Sequence, residues 1–256
     1  MKKEYFIGAG ILVLIIIVSL FMFSNETSIM KRETIPIIEM SNSKVLQKMN
    51  QSNSEINKFN MDLSMTYEME NFYSEGSIRN TLQIDTTLDY DRIKKEAFMK
   101  GTIIDEKDGK KEITEMEREI KGDYITEKRN GEVVNVTKVE GGYWGAEVKF
   151  FEYYLDPYYI PPGENFERLE SEIIDGIDCY VMIMYHDVNK VIEAVMAPKS
   201  QTELSKNYTE GTGEVYVKIW LDKTDLHLVK SKNYLNITSE RFSWFIDGDL
   251  LISNVS

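Results

Sequence analysis

From Phe59 to Glu70 the chain alternates without a break. Phe59, Met61, Leu63, Met65, Tyr67 and Met69 fall on one side, and Asn60, Asp62, Ser64, Thr66, Glu68 and Glu70 on the other. A period of two predicts a β-strand with one dry and one wet face. Half of the dry face is methionine, which can fill an irregular core or line an adaptable cavity wall. The alternation returns with Ile78, Leu82, Ile84, Leu88 and Tyr90. Two hairpins follow. One turns at Asp108–Gly109, and the other at Asn130–Gly131, where both residues tolerate positive φ. This half of the chain reads as an antiparallel meander.

The pattern then changes. Nine aromatics lie between Tyr143 and Phe166. Ala146, Phe150, Tyr153 and Tyr154 have helical spacing, so residues 145–155 read as an amphipathic helix ended by Pro157, Pro161 and Pro162. "GENFERLES" reads as a further turn of helix. From Ile177 to Tyr185 nearly every residue is apolar, the mark of a strand covered on both faces. Val188, Val191, Ile192, Val195 and Met196 predict a second amphipathic helix. A hairpin turns near Lys223–Asp225, and "RFSWFIDGDLLIS" reads as a last strand pair around Asp247–Gly248. Upstream, Val45, Leu46 and Met49 suggest a short helix. The fold class expected is mainly β (α+β): a large antiparallel sheet of nine to eleven strands, curled into an unclosed half-barrel and covered by two or three helices.

Three fragments carry a family resemblance. Gly176, Tyr180 and Val181 open the apolar strand, Trp220 and Asp222 end a later one, and Leu228 and Lys230 follow the turn. Over roughly residues 40 to 256 the chain resembles the LolA/LppX-like group of extracytoplasmic proteins. The resemblance implies a strongly curved, unclosed sheet with helices across its concave side. It also implies a hydrophobic cavity between them that holds acyl chains or other lipids. The chain departs from the group in having no lipobox cysteine.

The N-terminus supplies an anchor. Tyr5 to Phe23 is 19 residues without a charge, nearly enough to span a hydrocarbon core of about 30 Å as a helix. Phe21, Met22 and Phe23 are poor residues ahead of a signal cleavage site. Lys2 and Lys3 precede the segment, favouring a cytoplasmic N-terminus and an external domain. Asn25, Asn50, Asn135, Asn207, Asn236 and Asn254 each open an Asn-x-Ser/Thr triplet, six where chance gives roughly two. Asn50, Asn135, Asn207 and Asn236 are therefore candidate glycosylation sites of an external domain. The organisation expected is a transmembrane signal anchor over 1–24, a polar tether over 25–50 and the half-barrel domain over 51–256.

Charge and chemistry narrow the function. Acidic residues outnumber basic ones, 43 to 30, for a net charge of −13 and a pI near 4.8. That excludes a broad nucleic-acid interface. The single Cys179 sits in an apolar run and reads as a buried small hydrophobe. His186 and His227 lack zinc-motif spacing, and "DEKDGKKE" lacks the calcium-loop pattern. Neither a phosphate loop nor a nucleophile signature is present. No metal, cofactor or catalytic residue is assigned, and the chain is not read as an enzyme. The expected function is a membrane-anchored module that binds a lipid or other apolar ligand in its half-barrel. Phe59, Met61, Leu63, Met65, Tyr67, Met69, Leu82, Ile84, Phe150, Tyr153 and Tyr154 are the predicted lining. The alternative is a surface sensor or protein-interaction module with a filled interior.

Overall fold

A computed structural model describes residues 40–73, 76–107, 109–138, 166–196 and 210–256, with the backbone alone at 193–196. The predicted anchor, the aromatic helix over 145–155 and Asn207 lie outside these residues. Among the described residues no helix is long and apolar enough to cross a membrane.

One antiparallel sheet of 11 strands forms the body. Strands β1 (Lys58–Tyr73), β2 (Gly76–Asp91), β3 (Glu96–Lys107), β4 (Lys110–Lys121), β5 (Tyr124–Arg129) and β6 (Glu132–Lys138) make the first meander. Strands β7 (Phe166–Ile174), β8 (Ile177–Tyr185), β9 (Thr212–Asp222), β10 (Leu228–Thr238) and β11 (Phe242–Ser253) make the second. The order is β6-β5-β4-β3-β2-β1-β11-β10-β9-β8-β7, so β1 and β11 join the meanders, and among the described residues β6 and β7 are each paired on one side only. The sheet is unclosed.

Turn chemistry fixes the register. Asn130 and Gly131 have φ of 51° and 81°, and Asp175 and Gly176 have 48° and 85°. Two successive positive φ values give the primed turn whose twist matches the strands it joins.

Helix α1 (Asn42–Glu55) starts at Ser41, whose side chain accepts the Lys44 N–H. It buries Val45, Met49 and Asn53, spaced four apart on one face. Val45 and Met49 share one core cluster with Ile125 of β5, Phe59 and Met61 of β1, and Phe166 of β7. In a flat sheet β5 and β7 would lie about 43 Å apart, nine strand spacings, whereas a helix is only about 10–12 Å across. One cluster can reach both only if the sheet curls around α1. The helix thus plugs one end of the concave face, and it crosses the boundary expected between tether and domain. Helix α2 (Val188–Met196), capped by the Asp187 carboxylate on Asn189 and Lys190 N–H, lies on the other end. Its Ile192 packs with Val215, Ile237, Phe242 and Trp244.

Two expected elements are corrected. "RFSWFIDGDLLIS" is not a hairpin at Asp247–Gly248 but the single strand β11, buried at every second residue from Phe242 to Ile252. Gly248 has no positive φ there. It faces Met65, whose side chain lies within ordinary contact of the missing Cβ. Of "GENFERLES", the described part from Phe166 to Ser171 is strand β7, not a helical turn, and Phe166 pairs with Met184. Phe166 and Leu169 have helical spacing, yet β8 offers a free edge that the segment completes.

Candidate functional site on the concave face

Register assigns every side chain to a face, because directly paired residues point the same way. The odd residues of β1 face inward with Leu82, Ile84 and Leu88 of β2 and with Trp244, Ile246 and Leu250 of β11. The predicted stripe is therefore continuous and concave, but it divides along its length.

Phe59 and Met61 are 1% and 2% exposed, inside the α1 cluster, and Phe59 packs its ring on Tyr90 at 4.8 Å. Leu63 packs against the same cluster. Met65 and Tyr67 pack instead against the α2 cluster. Ile84 is buried, whereas Leu82 and Met69 are half-buried. Phe150, Tyr153 and Tyr154 lie outside the described residues. The stripe thus begins as core under α1 and ends as a half-covered wall.

The open end has polar features that the apolar pattern does not announce. Met69 stands opposite both Trp244 and Asn80. The Trp244 indole N–H and the Asn80 side-chain carbonyl are both buried and have no hydrogen-bond partner among the described residues. Tyr67 meets Trp244 edge to face at 6.4 Å and donates its hydroxyl to the Met69 sulfur at 3.1 Å. Burial pushes the Tyr67 phenol up to about 12. Next to Leu82, Asp105 faces Glu112 across β3 and β4. Burial first, and then the Glu112 charge, raise the Asp105 carboxyl. The wall is apolar with a donor, an acceptor and a carboxylate pair at its rim. Trp244 and Asn80 were missed from sequence. The alternation of Phe242, Trp244 and Ile246 was the available signal, and the hairpin reading obscured it.

The outer face has a different character. A groove of about 740 Å³ runs under the β7–β8 turn, lined by Asp62, Ser64, Asp85, Lys230, Asp249 and Ile173 among others. Ser64 donates to Asp85 at 2.7 Å, and Lys230 pairs with Asp249 at 3.2 Å. This groove lies on the opposite face from the methionine stripe and is rimmed by charge. It is not the predicted cavity. The β7–β8 hairpin caps a small outer cluster of Cys179, Val181, Trp220 and Val229. Cys179 is fully buried, and burial followed by the Asp222 charge pushes its thiol up to about 11, so it is not a reactive thiolate.

His227, Asp222 and Asp225 do converge, their ligand-type atoms lying within 4.8 Å of one another. Their bonds are those of a turn. Asp225 accepts from His227 Nδ1 at 2.6 Å, and Asp222 accepts from Thr224 N–H and Oγ1, both at 2.6 Å. Of the candidate glycosylation sites, Asn50 lies on α1, whereas Asn135 on β6 and Asn236 on β10 are exposed.

No protein-family model matches the sequence, and no curated protein matches it. Among solved structures, the chain is similar to LprF from Mycobacterium bovis, at 12% identity over 83% of this chain and 91% of that one, with a TM-score of 0.40. It is similar to the lipoprotein LppX of Mycobacterium tuberculosis at 11% identity over 84% and 96%, with a TM-score of 0.38. A LolA superfamily protein from Nitrosomonas europaea aligns at 9% identity over 85% and 93%, with a TM-score of 0.21. At these identities and TM-scores no family, ligand or activity follows from the likeness.

Proposed function

We propose that the chain is a membrane-anchored extracytoplasmic module that binds a lipid or similar apolar ligand on the concave face of its sheet, without covalent chemistry. One observation carries the reading. The concave stripe continues past the part filled by α1, and Met65, Tyr67, Met69 and Leu82 remain only partly covered. Methionine and aromatic side chains adapt to an acyl chain without a fixed shape. The unpartnered Trp244 N–H and Asn80 carbonyl at the same end suit the polar end of such a ligand. The anchor would be residues 5–23, with the domain outside the cytoplasm.

Native mass spectrometry of a chain lacking residues 1–30, purified without detergent, tests the reading. Bound lipid, or saturable uptake of a fluorescent fatty-acyl probe, is the expected result. Failure of both would favour the second reading, a sensor or protein-interaction module, which the filling of the other end by Phe59, Met61 and α1 supports. A reporter active only outside the cytoplasm, fused after Ser256, tests the topology, and an inactive but well-expressed fusion would reverse it.

A further inference from the structure

One run of rings interrupts the charged outer face. Tyr185 of β8 stands opposite Tyr216 of β9, and Tyr216 opposite Tyr234 of β10. These rings meet at 5.9 Å and 4.9 Å, and Phe245 of β11 closes the run against Tyr234 at 5.9 Å. Cross-strand pairs of this kind stabilise a sheet, yet none of the four rings is fully buried. Asn236 sits at the corner of this surface. It pairs directly with Phe245 and follows Tyr234 by two residues, so all three side chains share one face. Direct cross-strand partners have Cβ atoms about 4.5–5.5 Å apart, and alternate residues of one strand are about 7 Å apart. Asn236, Ile237 and Thr238 form an Asn-x-Thr triplet that ends β10 just before its turn, and Asn236 and Thr238 are both exposed. The other described triplets differ. Asn50 is half-buried on α1, the Asn135 amide donates to Glu127 at 3.4 Å, and the Asn254 amide donates to Asn60 at 2.8 Å. No side-chain bond holds the Asn236 amide among the described residues.

We propose that Asn236 carries an N-linked glycan whose first sugar packs on Tyr234 and Phe245. The inference rests on the domain lying outside the cytoplasm. The donor is a sugar joined through phosphate to a membrane lipid, and a transferase of the same membrane brings it to the triplet. The Asn236 Nδ2 attacks the anomeric carbon. The bond from that carbon to the phosphate oxygen breaks, and the lipid phosphate leaves with the bonding pair. One Nδ2 proton passes to a base of the transferase, and no oxidation state changes. A sugar ring has apolar C–H faces and polar edges. The C–H face suits the half-covered rings of Tyr234 and Phe245, which are apolar bodies at a wet surface. Glu214 stands opposite Asn236 on β9, an exposed carboxylate that accepts sugar hydroxyls. The glycan thereby covers the rings that the sheet leaves in water.

Intact mass spectrometry of the full chain, purified from its own cells, is the test. Asn236→Gln and Thr238→Ala should each remove the same sugar mass, and Thr238→Ser, which keeps the triplet, should retain it. Loss of the glycan through Asn236→Gln should lower the thermal midpoint by about 2–4 °C. In a chain that carries Tyr234→Leu and Phe245→Leu, the same loss should leave the midpoint unchanged, because the rings that hold the sugar are gone. No loss of sugar mass in Asn236→Gln, or an equal fall of the midpoint in both backgrounds, would overturn the proposal. The reporter fused after Ser256 separates this failure from that of the topology. An active reporter on an unglycosylated chain overturns the glycan alone, and an inactive one overturns both. Asn236 lies on the opposite face from the methionine stripe, so none of these outcomes depends on whether a lipid binds there.

Discussion

The Asn53 side-chain carbonyl accepts the Leu228 backbone N–H at 2.9 Å, and both residues are buried. Leu228 begins β10 where the β9–β10 register shifts, so its N–H finds a partner on the helix. This bond fixes the C-terminal end of α1 against the sheet. Asn53→Ala leaves a buried donor unsatisfied and should cost about 1–3 kcal/mol in urea unfolding. A loss well under 1 kcal/mol would mean that packing, not the bond, holds the helix.

Gly213 should tolerate no side chain. Its φ is +147°, and a Cβ there would overlap the Asn236 backbone carbonyl on the neighbouring strand. The neighbour is backbone, so no rotamer change relieves the clash. Gly213→Ala should destabilise the protein by about 1–3 kcal/mol or more, read as a fall in the thermal midpoint. An unchanged midpoint would show that β9 and β10 can separate at this point.

Much of this architecture was legible because the sheet has one dry face. In β1, β2 and β11 one parity is apolar, and periodicity alone assigns their faces. The Asn130–Gly131 turn was legible because the residues themselves permit its φ values. Asp247–Gly248 has the same chemistry and makes no turn. Phe242 to Ile252 keeps one alternation through it, and pairing on both sides with β1 and β10 outweighs a local turn preference. Strand β7 was illegible for the opposite reason. An exposed, charged edge strand buries only Phe166, so no period marks it. The division of the methionine stripe into core and open wall depends on where α1 and α2 land, which no spacing within β1 encodes.

Asp105 gives the fold a pH signature. Its carboxyl is raised by burial and by Glu112, so the folded state holds that proton more tightly than the unfolded chain. A raised pKa contributes stability in full below the unfolded value, about 3.9, and the contribution is lost as pH rises through the folded value. Asp105→Asn removes the ionisation. The variant should have the higher thermal midpoint at pH 7, and the difference should vanish near pH 3. A difference constant across that range would assign the effect to packing.

Tyr67 should ionise well above the range of an exposed phenol. Burial holds its phenol up at about 12. Because the folded pKa is raised, the stability linked to it is complete below pH 10 and declines between about 10 and 12. The difference between wild type and Tyr67→Phe in absorbance titration at 295 nm should show one phenol titrating near that upper value. A phenol ionising near 10 would place Tyr67 in contact with water.

The divided stripe predicts a divided response to mutation. Met61 lies under α1 at 2% exposure, so Met61→Ala should cost about 2–5 kcal/mol of stability. Any acyl-probe binding should then persist in the fraction that remains folded. Met69 and Leu82 are half-buried at the other end, so Met69→Ala and Leu82→Ala should cost under about 1.5 kcal/mol. If the open wall holds the ligand, a charge there must be desolvated against an apolar chain. Leu82→Lys should then weaken probe binding at least about tenfold while the unfolding midpoint hardly moves. Trp244→Phe removes the unpartnered N–H and keeps the ring's apolar bulk. It should weaken a probe with a free polar head group more than a plain hydrocarbon probe. Equal weakening of both would assign Trp244 to shape alone, and undiminished binding in Leu82→Lys would move the ligand off this face.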